Sequence, residues 1–458
     1  MSIDMILLQI REFLSISLPY CLIAATLSFI IFKVGFRRKD YPVWKLIPVF
    51  LLMLSTVFII HLTCLTRSEA YGTMDLHLFR SYYEAWNTFS IRNWQLIIFN
   101  ILMFCPFGFL LPMVSRHCRN ILITTGIGGV FSLVIELTQY VTHRGLCEVD
   151  DLFHNTLGAL LGYCIFRIVY TVSHKKERWR FLRIVMAALP ILLVCSMFFQ
   201  IFYRYVHQPY GNLPVSFTYR MDLSDTDFSK SSNLHLKQEA STEPIFQSVP
   251  YSRQDARLFA SDLLDRMHIE GTTRYSDYED SILCYRGDHS VSVSLKNRSY
   301  EYHRLDTEDP VWENIGSSAI LYQLSQWGIE IPTGAELTRP STGSYTWTVS
   351  RTRDTVAAGS LTCVTTSDGS IYSIINQIIP QEIYSKEAVI SEAEAYERLC
   401  DGYFQIYPHN YEIRSIHTYG VELTYSQDTK GFYQPVYLFH CKINGENVDL
   451  VIPALKKS

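Results

Sequence analysis

Seven polar side chains lie in or beside long apolar runs: Asn100, Glu136, Gln139, Arg144, Asp150, Asp151 and Asn155. Ionisable groups at the edge of a bilayer are expensive and usually line a protein interior or a watery cavity. Glu136 and the two aspartates could serve as acid/base groups or as ligands for a divalent cation. Carboxylates paired with amides suit hydrogen bonding to sugars or phosphates equally well. Each residue also has a structural reading. Asp150 or Asp151 could cap the helix that follows, favoured by its N-terminal dipole. Glu136 and Arg144 could be an ion pair that closes a hairpin. His154 reads as packing, and Gly158 and Gly162 as a seam between helices. As a group the residues point to a site, because Asn100, Glu136 and Gln139 fall inside apolar spans.

Helical spacing puts Glu136, Gln139 and His143 on one face, and Asp151, Asn155, Gly158 and Gly162 on another. The short turn between the two helices makes them antiparallel neighbours with polar faces at similar depth. Arg144 in the turn reaches a carboxylate of either helix, which offsets the cost of burying charge. Asp151, at a helix N-terminus, is then the carboxylate left to meet a ligand. The seven residues are therefore expected to converge on one pocket.

The elements that must position them are membrane spans. Six apolar runs reach the roughly 20 residues that crossing a bilayer requires: Ser17–Gly35, Leu46–Cys64, Trp94–Val114, Ile121–Val141, Leu152–Tyr170 and Ile184–Tyr203. The preceding Ile6–Leu14, with Arg11 and Glu12, reads as an interfacial helix or an extension of the first span. It lacks the basic n-region and small-residue cleavage site of a signal peptide. Pro106 and Gly108 in the third span are expected to kink the helix or free a carbonyl.

Basic residues cluster in alternate loops: Arg37, Arg38, Lys39 and Lys45, then Arg116 and Arg119, then Lys175, Lys176, Arg178, Arg180 and Arg183. These loops are read as cytoplasmic. Both termini, the whole second half and the Glu136–Tyr163 hairpin are then outside, in a multi-pass protein of the cell membrane.

Charge divides the 458 residues at about the same place. Residues 1–203 carry 18 Lys and Arg against 11 Asp and Glu; residues 204–458 carry 22 against 33. A basic apolar half joined to an acidic polar half reads as an α-helical polytopic membrane bundle of about six spans plus an extracellular α+β domain. A linker is assigned to 204–250, though Val215–Tyr219 could be a strand, and the outer domain to 251–458. Within that domain, helices are expected around residues 252–267, 318–328 and 390–402, the last capped by Ser391. Alternating runs at 281–285, 289–295, 344–350, 360–366, 370–378, 419–426, 432–443 and 448–454 are read as strands. Helix followed by strands occurs about twice, hinting at a degenerate repeat.

The pieces Asn100-x5-Pro106-Phe107-Gly108, Ser132-x3-Glu136-x2-Gln139 and Arg144-x5-Asp150-Asp151-x3-Asn155-x2-Gly158-x3-Gly162 resemble the VanZ-like family. The short Leu76-His77-Leu78-Phe79 run resembles the segment before that family's third span. The likeness extends over roughly Trp44 to Tyr170. It implies a bacterial, Gram-positive envelope membrane protein, in a family whose founding member is associated with low-level resistance to the glycopeptide teicoplanin. The resemblance supplies a class without a settled reaction. More weakly, Ile390–Pro453 is similar to PepSY-like and YycI-like extracytoplasmic domains, which implies a binding or regulatory module.

The acidic soluble half offers no basic face for nucleic acid. No Walker loop, nucleophile elbow or His-Glu-x-x-His is present, and the 11 cysteines show no CxxC or zinc spacing. No cofactor and no metal are expected. Cys284, Cys363, Cys400 and Cys441 could pair or remain buried thiols. His409, His417 and His440 read as surface or packing residues. Three functional readings stand. One is an envelope protein that binds a cell-wall lipid, a lipid-linked precursor or a glycopeptide at the outer membrane face. Another is an integral-membrane enzyme acting on a lipid-linked substrate. The third is a membrane-anchored sensor or regulator whose outer domain meets an envelope protein.

Overall fold

The computed structural model describes residues 43–65, 74–143, 147–174, 179–215, 223–278, 280–305, 316–351, 357–366, 368–406 and 412–456, with isolated helical positions between 19 and 30. Arg144, His409, the segment Ile6–Leu14, most of the expected first span and most of the strand considered at Val215–Tyr219 lie outside the described residues. The chain divides into two compact units, Met1–Pro209 and Tyr210–Ser458.

Helix α1 (Val43–Ile60) opens the described part of the first unit and runs into one π-helical turn, His61–Leu65. A two-residue strand β1 (Met74–Asp75) and a short helix α2 (Arg80–Thr88) follow. Then come α3 (Ile91–Val114), α4 (Ile121–Thr142), strand β2 (Cys147–Glu148), α5 (Val149–Ser173) and α6 (Arg180–His207). Among the described residues, five helices are long and apolar enough to cross a membrane: Ile47–Cys64, Ile91–Val114, Ile121–Thr142, Val149–Ser173 and Arg180–His207. A multi-pass helical membrane unit is thus the architecture of the first half. Helix α3 stays one helix through Pro106 and Pro112.

Glycines set the register that matters for the polar residues. A Cβ on Gly158 would lie 2.1 Å from the Ile101 carbonyl oxygen, and one on Gly162 would lie 2.1 Å from that of Cys105. The backbones of α3 and α5 therefore touch without intervening side chains, as small residues permit in membrane helices. Because 158 faces 101 and 162 faces 105, the two helices run parallel. That register sets Asn100 opposite Leu157 and carries the first turn of α5, with Asp150 and Asp151, to the Asn93–Trp94 level of α3. Phe198 of α6 meets Trp94 of α3 edge-to-face at 6.2 Å. Ile59, Phe104, Phe107 and Ile135 form a second small core between α1, α3 and α4.

In the second unit, strands β3 (Asp227–Lys230) and β4 (Thr242–Ser248) precede helix α7 (Arg253–Arg266). Strands β5 (Arg274–Asp277), β6 (Ser281–Arg286), β7 (His289–Ser294) and β8 (Tyr300–Arg304) lead to α8 (Ser317–Gln326). Next are β9 (Glu336–Thr338), β10 (Ser344–Val349), β11 (Ala357–Thr365), β12 (Ile371–Asn376) and β13 (Ile379–Ala388). Helix α9 (Glu392–Cys400) and strands β14 (Ser415–Gln427), β15 (Phe432–Ile443) and β16 (Glu446–Pro453) close it. Helix followed by strands thus occurs three times among the described residues.

One half of the sheet orders β5-β6-β7-β8-β12-β11-β10-β9, all antiparallel, and the other orders β3-β14-β15-β4-β13 with β16 beside β15. The alternation read at 281–295 places Ile282, Cys284, Val291 and Val293 against Leu263 and Leu264 of α7 in a buried core. Helix α9 starts at Ser391, whose Oγ accepts the Glu394 amide at 3.1 Å, and buries Ala395 and Leu399 over Phe439 and Cys441. The segment 204–250 is not a free linker. Thr242–Ala388 begins a ladder between β4 and β13 that runs to Ser248–Gln381. Tyr210 Oη donates to Glu387 Oε1 at 2.6 Å, and the Gly211 amide donates to Asp428 Oδ2 at 2.7 Å. Cys284, Cys363 and Cys441 are buried free thiols, and Cys400 is free and half-buried. His417 bonds to Ser229 and Ser231, and His440 to Asp449, as packing and surface residues do.

Candidate functional site

The sequence from Arg80 supplies no capping side chain for α2. Its N-cap is Phe79, in the left-handed region at φ 69°, with no side-chain bond to the helix. The cap comes from 71 residues away. Asp150 Oδ1 accepts the Phe79 amide at 2.5 Å, and Oδ2 accepts the Ser81 amide at 2.7 Å and its hydroxyl at 2.6 Å. Phe79 is held further by edge contacts with Tyr82 and Phe153, at 5.9 and 5.4 Å. Beside it β1 pairs parallel with β2, Met74 against Cys147 and Asp75 against Glu148. The segment 74–88 is thereby fastened over the first turn of α5.

Under this cover lies a cavity of about 270 Å³. Asn100 and Asp151 form one wall, with Asn100 Nδ2 donating to Asp151 Oδ1 at 2.5 Å. Asp75, Arg80 and Glu84 form another. Arg80 pairs with Asp75, and its Nε donates to Glu84 Oε1 at 2.9 Å. Burial works against ionisation of Asp75. The His77 amide and ring and the Arg80 guanidinium outweigh it and hold that carboxyl below its ordinary value. His154 is buried at the cavity wall with neither ring nitrogen hydrogen-bonded among the described residues, and its ring stands 5.2 Å from that of Tyr82. A buried polar group without a partner normally carries a cost, so this histidine sits where a ligand group would relieve it.

The seven expected residues divide. Asn100, Asp150 and Asp151 line the cavity. Glu136, Gln139 and Asn155 are buried but are not among its described lining. Glu136 Oε2 accepts the Glu148 amide at 3.1 Å and so steadies the strand that carries Asp75's partner. Gln139 Nε2 donates to the Thr63 carbonyl at 2.9 Å, tying α4 to the end of the first described span. Asn155 Nδ2 donates to Ser132 Oγ at 2.9 Å, while its Oδ1 is buried without a partner among the described residues. Arg144 lies outside the described residues. Neither aspartate is the N-cap of its own helix: that position is Glu148, whose side chain does not cap α5.

Asp75, Arg80, Ser81 and Glu84 are the members that sequence reading missed. Arg80 and Glu84 stand four apart on an amphipathic stretch, an ordinary ion-pair signature. Only the partnership with Asp150, distant in sequence, makes them part of a site. Among the described residues, no group of three or more His, Cys, Asp or Glu side chains is placed to hold a metal ion. Residues 45–170 match the family model described as VanZ/LLP1. A search of curated proteins finds no match to the chain.

Proposed function

We propose that the membrane unit acts as a cell-envelope protein of the VanZ-like class, binding a cell-wall lipid or a glycopeptide of the teicoplanin type at the outer membrane face and so altering susceptibility. The observation that carries this reading is the polar cavity under α2, inside the stretch that matches VanZ/LLP1. Its described lining holds five carboxylates, Asp75, Glu84, Glu148, Asp150 and Asp151, against one guanidinium, Arg80. That balance repels a bare phosphate and favours hydroxyl or ammonium donors, which make charge-assisted bonds to carboxylates. At about 270 Å³ the cavity falls below the roughly 300–1,000 Å³ of drug-sized pockets. It suits one sugar ring or one amino-bearing side group of a larger ligand.

Asp151→Asn is the direct test. Asparagine can keep a bond to Asn100, so folding and membrane level should be unchanged. Loss of one charge-assisted bond of about 1.5–3 kcal/mol should weaken glycopeptide or precursor binding by about tenfold or more. Binding equal to wild type would refute the cavity as the site. The C-terminal unit, in which we infer a PepSY-like or YycI-like binding or regulatory module, is the sensing part of the alternative regulatory reading.

Orientation follows the basic loops and needs its own test. Cys147 and Cys118, on opposite sides of α4, are both buried, so their own thiols report poorly. In a cysteine-free background, Thr142→Cys should react with a membrane-impermeant thiol reagent on intact cells and His117→Cys should not. Both positions are exposed. The reverse pattern would invert the topology.

The enzyme reading has His154 in its favour, because a buried imidazole beside Asp150 and Asp151 is what acid/base chemistry uses. Mass spectrometry of copurifying lipids separates the two: a chemically altered lipid lost in His154→Gln speaks for catalysis, an unaltered bound one for binding.

A further inference from the structure

We propose that the C-terminal unit carries a second binding site, for a carboxylate-bearing polar ligand, in the groove where its two sheet halves part. The groove has a backbone cause. Strand β11 pairs with β12 from Leu361 to Thr365 but with β13 at Ala357 and Ala358. Between these stretches stands Gly359 at φ 130°, where a Cβ would lie 2.0 Å from the Gln377 carbonyl oxygen. Only glycine lets the strand change partners there. The halves separate beyond it, leaving a groove of about 630 Å³.

Its walls are hydroxyls and amides, among them Asn297, Ser299, Thr346, Thr348, Gln377 and Thr424, and none of the described lining residues is acidic. One cation lies among them. The Arg351 guanidinium stands 4.3 Å from the Tyr433 ring centroid and 5.5 Å from that of Phe246, and donates to the Gln381 side-chain oxygen. Arg351 forms no ion pair among the described residues. Burial lowers its pKa from the ordinary value, and only the hydroxyls of Tyr433 and Tyr425 oppose that. A desolvated cation without a counter-charge calls for an anion, and the guanidinium fork matches a carboxylate in bidentate geometry.

A single guanidinium balances one carboxylate, whereas a phosphate dianion would be left half neutralised. The hydroxyl and amide walls suit the body of a peptide or an acidic sugar, and the groove is within the size range of small-ligand pockets. The acidic excess of residues 204–458 opposes anions only at long range, where salt screens it beyond about 8 Å. This site lies in a different unit from the membrane cavity, so either can fail without the other.

The test is calorimetric titration of the full chain in detergent with two matched pairs: trialanine and its C-terminal amide, and a glucuronic-acid disaccharide and its methyl ester. At least one acid should bind, with its neutral partner weaker by about tenfold or more. Which acid binds separates the peptide source from the sugar source. Arg351→Gln should bind the acid no better than the neutral form. Thr348→Trp, at an exposed wall position, should block binding while the melting temperature stays at the wild-type value. No binding of either acid, equal binding of acid and neutral forms, or full binding by either variant would overturn the proposal.

Discussion

A fragment comprising Tyr210–Ser458 is expected to melt in one cooperative transition, whereas a fragment beginning at Tyr251 is expected to lose its near-ultraviolet circular dichroism and bind hydrophobic dye. The shorter fragment lacks β3, which ends the sheet beside β14, and, with the larger effect, β4. That strand lies between β13 and β15, with seven residue pairs to the first and two to the second, so its removal opens the sheet down its middle. Ile245 and Phe246 are 0% and 3% exposed, and each fully buried side chain of this kind is worth about 1.5–3 kcal/mol. The shorter fragment also exposes the β13 and β15 edges that β4 had covered. Against a typical domain stability of about 5–15 kcal/mol, losing both side chains and a ladder on each side approaches the whole margin. Equal melting temperatures for the two fragments would show β4 to be dispensable.

The same strand shows why part of this fold was not legible in the sequence. Strands β6 and β7 alternate because one face meets α7 and the other does not, and they were readable at once. In β4 the run Pro244 to Phe246 is buried on consecutive positions, Glu243 is buried with them, and the proline argues against a strand. Its assignment depends on neighbours more than 130 residues away, which no local pattern encodes. The membrane spans were legible because length and apolarity are local properties, as was the glycine seam of α5. The cavity was half legible. Asn100, Asp150 and Asp151 announce themselves as polar residues in apolar surroundings. Asp75, Arg80 and Glu84 look like ordinary surface charges until Asp150 draws α2 over the bundle. Glu136, Gln139 and Asn155 carry the same polar-in-apolar signal as Asn100, yet their recorded bonds fasten α4 to its neighbours. Burial of a polar group in a span does not by itself separate a ligand contact from a clamp.

Asp150→Ala is expected to release α2 and with it one wall of the cavity. The carboxylate receives three hydrogen bonds from Phe79 and Ser81, and bonds to a charged acceptor are worth about 1.5–3 kcal/mol each, though not additively. It also holds Phe79 in a left-handed conformation that costs about 1–3 kcal/mol for a residue other than glycine. Without the clamp the Arg80–Glu84 pair, worth about 0.2–0.5 kcal/mol, is too weak to hold the helix: α2 has nine residues, short of the roughly 12–15 at which isolated helices become marginal. A local loss of about 3 kcal/mol corresponds to about a hundredfold in the opening equilibrium. Hydrogen-exchange mass spectrometry should therefore show peptides covering 79–88 exchanging about a hundredfold faster, with α3 and α5 unchanged. Binding at the membrane cavity should fall with it, because Arg80, Ser81 and Glu84 leave together. Asp150→Asn retains one acceptor oxygen and should lie between alanine and wild type. If exchange in 79–88 is unaltered in Asp150→Ala, the segment is held by the β1–β2 pairing and the Phe79 ring contacts, and Asp150 is then free to serve the ligand instead.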